Sequence, residues 1–140
     1  MATVVSLPRV AATRTSAIPR RTLLVALPVF AFAVGLAVGD PTEGLNRDHE
    51  LALLLRGMAV LKALMALGMG AAVWWRLGTP MSNALATGYL LTVTVAFFAA
   101  ALVWQLSFLG IVSFAFHSAL IGLALIAWKD PGVGYSHSPR

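Results

Sequence analysis

Cysteine is absent from this chain of 140 residues, and charged residues are scarce at 11%. Without cysteine, disulfides, thiol catalysis, iron–sulfur clusters and cysteine-ligated zinc sites are excluded. Soluble domains carry about 25% charged and about 45–50% apolar residues, whereas this chain is 59% apolar and has a mean hydropathy of +0.86. Too few polar groups are present to cover a soluble surface. The composition excludes a water-soluble enzyme, a disordered tail and a nucleic-acid-binding module, and indicates an integral membrane protein.

Four apolar runs are long enough to cross a membrane. A spanning helix needs about 20 mostly apolar residues, because each residue rises about 1.5 Å and the hydrocarbon core is about 30 Å thick. The runs cover about 22–39, 51–75, 84–106 and 108–128. They lack the apolar–polar alternation of membrane-barrel strands, and helices pair their own backbone groups. The sequence therefore predicts an all-α fold, a four-helix up-down bundle between tails 1–21 and 129–140.

Turn and capping residues separate these runs. Glycine and proline at 39–41 predict the end of the first helix, and Asp48 is a candidate N-cap of the second. Ser82 or Asn83 is a candidate N-cap of the third helix. Only a tight hairpin near 105–110 separates the last two spans.

The charges lie mostly outside the runs and predict the orientation. Seven basic residues precede the first run, separate the second from the third, or follow the fourth: Arg9, Arg14, Arg20, Arg21, Arg76, Lys129 and Arg140. The segment from Asp40 to Glu50 holds four acids and one arginine, a net charge of 1 − 4 = −3. Because lysine and arginine concentrate on the cytoplasmic side, both termini are predicted to be cytoplasmic. The predicted location is a bacterial inner (plasma) membrane, with an organellar membrane as the alternative.

The first run has a second interpretation. Arg20 and Arg21 before an apolar stretch resemble a twin-arginine signal, and 37–39 resembles a small-residue cleavage site. The acid-free, arginine-rich start also fits an organellar transit peptide. Three further spans follow, and an arginine pair is normal at the cytoplasmic end of a first helix. An uncleaved first span is therefore the prediction.

Small residues recur at helical spacing in each run. Lipid gives little hydrophobic drive for helix association, so close packing of small residues has to provide it. The stripes are Gly35 and Gly39; Ala59, Ala63, Ala66 and Gly70; Gly68 and Ala72; Ala96 and Ala100; and Gly110, Ser113, His117 and Ala124. They predict a compact bundle, or a bundle that docks on another membrane subunit.

Three ionisable residues lie within the runs: Arg56, Lys62 and His117. Such residues are costly in lipid and are candidates for function. No acid lies deep in a run, which argues against proton-coupled export of cations. The cations instead favour an anionic or electron-rich partner, such as a lipid phosphate, a haem propionate, a quinone carbonyl or an acid on another subunit.

The sharpest hypothesis for these residues is a haem b or quinone site. His117 would be the axial ligand or the hydrogen-bond donor, Arg56 would hold a propionate or carbonyl, and Ser113 would leave room for a flat ring. Counted from the predicted span ends, Arg56 and His117 differ in depth by about 6 Å. His49, the candidate second axial ligand, lies about 10 Å or more nearer the outer surface, which disfavours two-histidine ligation.

A simpler interpretation involves no cofactor. His117 would then hydrogen-bond to a neighbouring helix, and Arg56 would extend toward the headgroups. Lys62 lies deeper, so a charged partner or ligand is predicted for it.

No catalytic or metal-binding constellation is recognisable in the sequence. The leading functional prediction is an accessory or anchor subunit in the lipid bilayer, docked on other membrane subunits or on a second copy, without nucleic acid as a partner. One alternative is the redox module built on His117 and Arg56. The other is a small anion or metabolite transporter that uses Arg56 and Lys62 as attracting charges.

Overall fold

The computed structural model describes residues 17–42, 45 and 47–134, apart from the side chains of 17–19 and 133–134. Its elements are α1 (Ala17–Val38), α2 (His49–Arg76), α3 (Asn83–Trp104), α4 (Leu109–Lys129) and the single turn α5 (Pro131–Gly134). No strand occurs within these ranges. The first four helices are each long and apolar enough to cross a membrane. The all-α, four-span prediction is confirmed, whereas the side on which the termini lie stays a prediction.

The helix ends lie close to the predicted ones. The side chain of Asp48 accepts a hydrogen bond from the Leu51 amide at 3.1 Å, and that of Ser82 accepts one from the Leu85 amide at 3.3 Å. The predicted cap Asp48 is therefore confirmed, and of the two candidates for the third helix Ser82 is the cap. Helix α1 begins before the predicted span, because the Arg20–Arg21 pair favours helix and does not interrupt it. The remaining tail residues, 1–16 and 135–140, lie outside the described residues.

The hairpin between α3 and α4 is tied to the end of α1. Leu106 and Phe108 have φ angles of 58° and 48°, so the chain reverses through left-handed residues without a glycine. Between them Ser107 is buried, and its hydroxyl donates to the Asp40 carbonyl at 2.6 Å. The Gln105 amide donates to the Leu36 carbonyl at 2.8 Å, which supplies a partner to an otherwise unpaired carbonyl near the end of α1.

Helix α3 is the centre of the bundle. Half of its most apolar stretch is buried, against 17% for each of the other three spans. It packs extensively on α1, α2 and α4, whereas α1 and α2 touch each other at only a few points. Alanines on α3 permit this close approach: Ala96, Ala99, Ala100 and Ala101 are almost fully buried.

The small-residue stripes divide into inward and outward ones. A Cβ atom on Gly35 would lie 2.8 Å from the Ala101 Cβ, so α1 meets α3 at van der Waals distance. Ala59 and Ala66 of α2 are also buried in the core. By contrast, open space surrounds the Cβ positions of Gly68 and Gly110. The stripe on α1 and the Ala59–Ala66 stripe on α2 therefore hold the bundle together, while the Gly68 stripe on α2 and the stripe on α4 face outward.

The bundle has a basic end and an acidic end. At the basic end α1 and α3 begin and α2 and α4 finish, and it carries Arg20, Arg21, Arg76 and Lys129. At the acidic end lie the connection from α1 to α2 and the hairpin from α3 to α4, with Asp40, Asp48 and Glu50. Exposed tryptophans lie near both ends, as expected of residues at a membrane interface: Trp74, Trp75 and Trp128 near the basic end and Trp104 near the acidic end.

Candidate functional site

His117 lies on the outward side of α4, more than two turns from the start of that helix. Its Nδ1 atom is 2.6 Å from the carbonyl oxygen of Ser113. A neutral imidazole therefore donates from Nδ1 and presents Nε2 as an acceptor. Within the described ranges no residue hydrogen-bonds Nε2. The imidazole ring also makes an edge contact with the adjacent Phe116 ring, with centroids 6.0 Å apart.

Arg56 is exposed, and its guanidinium extends toward the acidic end of the bundle. The guanidinium carbon lies 6.0 Å from the ring centroid of Trp104, at the end of α3. Tryptophan marks the interfacial region of membrane proteins. This contact favours the interpretation in which Arg56 reaches toward the headgroups.

Lys62 is buried, with only 8% of its surface exposed. Its Nζ atom lies 4.5 Å from the ring centroid of Phe116 on α4. A cation over an aromatic face is attracted by the ring quadrupole. No carboxylate in the described part of the chain forms an ion pair with Lys62, so the ring of Phe116 is the electron-rich group that it faces.

Two contacts fix the relative heights of α2 and α4. These helices run parallel, since each is antiparallel to α3 in the up-down topology. Lys62 faces Phe116, and Arg76 faces Asp130 across a separation of 54 residues. The first pair has the same separation, 116 − 62 = 54. This register places Arg56 level with Gly110.

The predicted partners of a haem or quinone therefore lie at different depths. Seven residues separate Gly110 from His117, so Arg56 and His117 differ by about 10 Å along the bundle axis, rather than the 6 Å counted from the predicted span ends. The difference arises because α2 starts further out than α4. Lys62, not Arg56, shares the depth of His117. Ligand binding by His117, Arg56 and Ser113 stays a prediction.

A cluster that the sequence did not indicate surrounds Asp130 at the basic end. Its carboxylate has no exposed surface and accepts four hydrogen bonds. Arg76 donates from Nε and Nη2, both at 2.6 Å. The Tyr89 hydroxyl and the Gly132 amide each donate at 3.0 Å. Arg76 also donates to the Thr79 hydroxyl.

The Asp130 cluster joins the ends of three helices. Arg76 closes α2, Tyr89 lies in the first turns of α3, and Asp130 follows α4. Hydrogen bonds from Arg76, helped by those from Gly132 and Tyr89, hold the pKa of Asp130 below its usual value, although burial acts in the opposite direction. With four donors around it and no exposed surface, the carboxylate is suited to holding the helices together rather than to exchanging protons with a substrate.

A simple signal in the sequence could have pointed to this cluster. Asp130 is the only acid outside the segment from Asp40 to Glu50. In the predicted topology it lies at the same end as Arg76. By itself, however, the pattern Asp-Pro-Gly indicates only a helix stop, and a tyrosine hydroxyl in a span has many possible partners. The nearby Thr92 and Thr94 hydroxyls, for example, donate to backbone carbonyls of their own helix.

Three hollows lie along one side of the bundle, between α1 and α2. None of the three is lined by the predicted site residues His117, Arg56, Ser113 and Lys62. Among the residues that the structure describes, no three histidine or acidic side chains are grouped as metal ligands would be. The predicted site is thus an outward imidazole on α4, separate from these hollows.

Comparisons with protein-family models, with curated protein sequences and with solved structures found no match to this chain.

Proposed function

We propose that the protein is an accessory or anchor subunit that docks another membrane helix on the outward face of α4. This face consists of Gly110, Ser113, His117 and Ala124. The observation that carries the proposal is the position of His117, an imidazole that faces outward from the middle of an apolar span. Ionisable side chains within membranes almost always face protein or water rather than lipid. A partner helix that packs over His117 would shield its imidazole from lipid.

The other residues of this face suit close helix contact. Nothing lies within 4 Å of a Cβ built on Gly110, and small residues let two backbones approach in lipid. The face is turned by about 120° from the buried side of α4, which is formed by Val112, Phe116 and Ala119. Docking on it would therefore leave the contact between α4 and α3 intact.

The chemistry of the partner follows from the tautomer of His117. With Nδ1 donating to Ser113, Nε2 accepts a hydrogen bond from a hydroxyl or amide on the partner helix. A carboxylate on the partner would pair with the protonated ring. The partner is a helix of another membrane subunit, and a second copy of this chain is the alternative.

Purification in a mild detergent tests the proposal. We expect a stable complex whose mass exceeds that of one chain, 14.8 kDa, and which loses its partner when Gly110→Leu blocks close approach. Gly68→Leu is the matched control, because Gly68 is equally open but lies on α2. Recovery of the wild-type chain only as a monomer would contradict the proposal.

The outward Nε2 atom of His117 also supports one alternative, a redox module. That atom is the one a haem iron or a quinone would contact, although Arg56 is about 10 Å away in depth. An absorption spectrum and a quinone extraction of the same preparation distinguish the redox module from the docking subunit. A Soret band or a bound quinone that is lost in His117→Leu would favour the redox module over the docking subunit.

A further inference from the structure

A groove runs between α1 and α2 over the side of α3 that these two helices leave uncovered. It contains hollows of about 510, 310 and 370 Å³, in order from the basic end to the acidic end. The first two share Val25 and Trp74, and Val93 and Phe97 of α3 form the floor of the second. We call it the α1–α2 groove; Arg21 contributes the guanidinium at its basic end.

Arg21 lies at the basic end of the groove with an unused hydrogen-bond donor. Its guanidinium carbon is 5.3 Å from the ring centroid of Trp74. Its Nε atom is buried and has no hydrogen-bond partner among the described residues. The neighbouring Arg20, by contrast, donates to the Asn83 side chain at 2.6 Å and to the Met81 carbonyl at 3.3 Å. A buried donor without an acceptor is unfavourable. Of the two arginines, Arg21 is therefore the one with a donor available for a ligand.

No carboxylate in the described part of the chain is free to pair with Arg21. Asp40, Asp48 and Glu50 lie at the opposite end of the bundle. The remaining described acid, Asp130, is enclosed by Arg76 and its other donors. An external anion would therefore complement Arg21. A phosphodiester suits a guanidinium, which can donate two parallel hydrogen bonds to phosphate oxygens.

The dimensions of the groove fit a lipid with its phosphate at this place. From Arg21 to Val29, the part of α1 along the first two hollows, the helix rises by about 12 Å. One leaflet of the hydrocarbon core is about 15 Å thick, half of about 30 Å. Trp74 lies where tryptophan is enriched, beside the headgroups. We infer that the α1–α2 groove binds an anionic phospholipid, with its phosphate on Arg21 and one acyl chain between α1 and α2.

Native mass spectrometry of the full chain in a neutral detergent tests this site. The probes are phosphatidylglycerol and phosphatidylcholine with identical acyl chains. We expect the wild type to retain phosphatidylglycerol preferentially, and Arg21→Gln to weaken that binding about fivefold, which corresponds to about 1 kcal/mol. Lys129→Gln removes the same charge from the same end and is the matched control.

A second variant tests the groove rather than the charge. A Cβ on Gly70 would lie 3.9 Å from Phe97 and Val93, so Gly70→Leu fits sterically and fills the second hollow. We expect it to lose the bound lipid while keeping the wild-type unfolding temperature. Three results would each overturn the site. The wild type would retain the two lipids equally, Arg21→Gln and Lys129→Gln would lose phosphatidylglycerol equally, or Gly70→Leu would bind phosphatidylglycerol as the wild type does.

Fluorescence quenching locates the lipid. A chain whose sole tryptophan is Trp74 is compared with one whose sole tryptophan is Trp128, at the same end but on α4. Both are placed in phosphatidylcholine vesicles that contain a minor fraction of brominated phosphatidylglycerol. We expect stronger quenching of Trp74 than of Trp128, and equal quenching of the two when the brominated lipid is phosphatidylcholine. Equal quenching with both lipids would place the anionic lipid elsewhere.

Discussion

At the scale of single residues, Asp130 has the most partners of any described carboxylate. Its side chain is fully buried, and donors from α2, α3 and the start of α5 surround it. Removing one partner of a buried ion pair leaves the other charge uncompensated. The stability of the basic end should therefore depend on this carboxylate.

Asp130→Asn should lower the free energy of unfolding by about 3 kcal/mol, since Arg76, whose side chain is only 14% exposed, loses its counter-charge. Tyr89→Phe should lower it by about 1.5 kcal/mol, because it removes a single hydrogen bond to a charged acceptor. Unfolding in detergent, followed by circular dichroism, measures both changes. Asp40→Asn is the control, because Asp40 is exposed. Equal stabilities of Asp130→Asn and Asp40→Asn would contradict a stabilising role of the Asp130 cluster.

The pH dependence of stability should report the same carboxylate. The pKa of Asp130 is lower in the folded chain than its ordinary value of 3.8, chiefly because Arg76 donates hydrogen bonds to it. The stabilisation is then complete well above pH 3.8, and it is lost as the pH falls past 3.8 and through the lower, folded value. Wild type should lose stability relative to Asp130→Asn between about pH 5 and pH 2. Parallel pH profiles of the two proteins would contradict this origin.

The sequence predicted Lys62, Arg56 and His117 as exceptional because each interrupts an apolar run. The sequence could not show which two of them share a depth in the membrane, because that depends on how far α2 extends past the start of α4 at the acidic end. The sequence did not indicate the Asp130 cluster for a related reason. The partners of Asp130 come from three elements, and each alone has an ordinary explanation: Gly132 as part of a turn, Arg76 as a charge at a helix end, and Tyr89 as a hydroxyl within a span.

At the scale of elements, the ends of the helices were predictable and their arrangement was not. Caps such as Asp48 and Ser82 and the glycine–proline breaks are local signals. The central position of α3 is not local, since all four spans are similarly apolar and lipid accepts apolar side chains as readily as a protein core does. Small residues recur at helical spacing on both α1 and α4, yet Gly35 packs on Ala101 and Gly110 faces outward.

Gly35→Leu should destabilise the bundle by about 1–3 kcal/mol, the usual cost of overfilling a close contact. A Cβ at this position would lie 2.8 Å from the Ala101 Cβ and 3.2 Å from a backbone oxygen of Phe98. Gly68→Leu should change stability little, because its Cβ position is open. Thermal unfolding of both variants in one detergent compares them directly. A smaller loss for Gly35→Leu than for Gly68→Leu would show that α1 does not pack here.

At the scale of the whole molecule, the bundle combines an ion-pair clamp at its basic end with an outward histidine on α4. The separation of charge between the ends predicts that the basic end is cytoplasmic. The cysteine-free sequence makes this orientation easy to test. In intact spheroplasts of a bacterium that expresses the chain as a recombinant protein, an impermeant maleimide should label Glu43→Cys and should label Ser138→Cys only after permeabilisation. The reverse pattern would contradict the orientation.

The docking proposal concerns the whole molecule most directly, and site-specific photo-crosslinking in native membranes tests it. A photoreactive residue at Gly110 or Ala124 should give one crosslinked product of defined mass, because this face of α4 would lie against a partner helix. The same residue at Gly57 or Gly68, which are equally open on α2, should give none. No product from α4, or the same product from α2, would contradict the proposal that α4 carries the docking face.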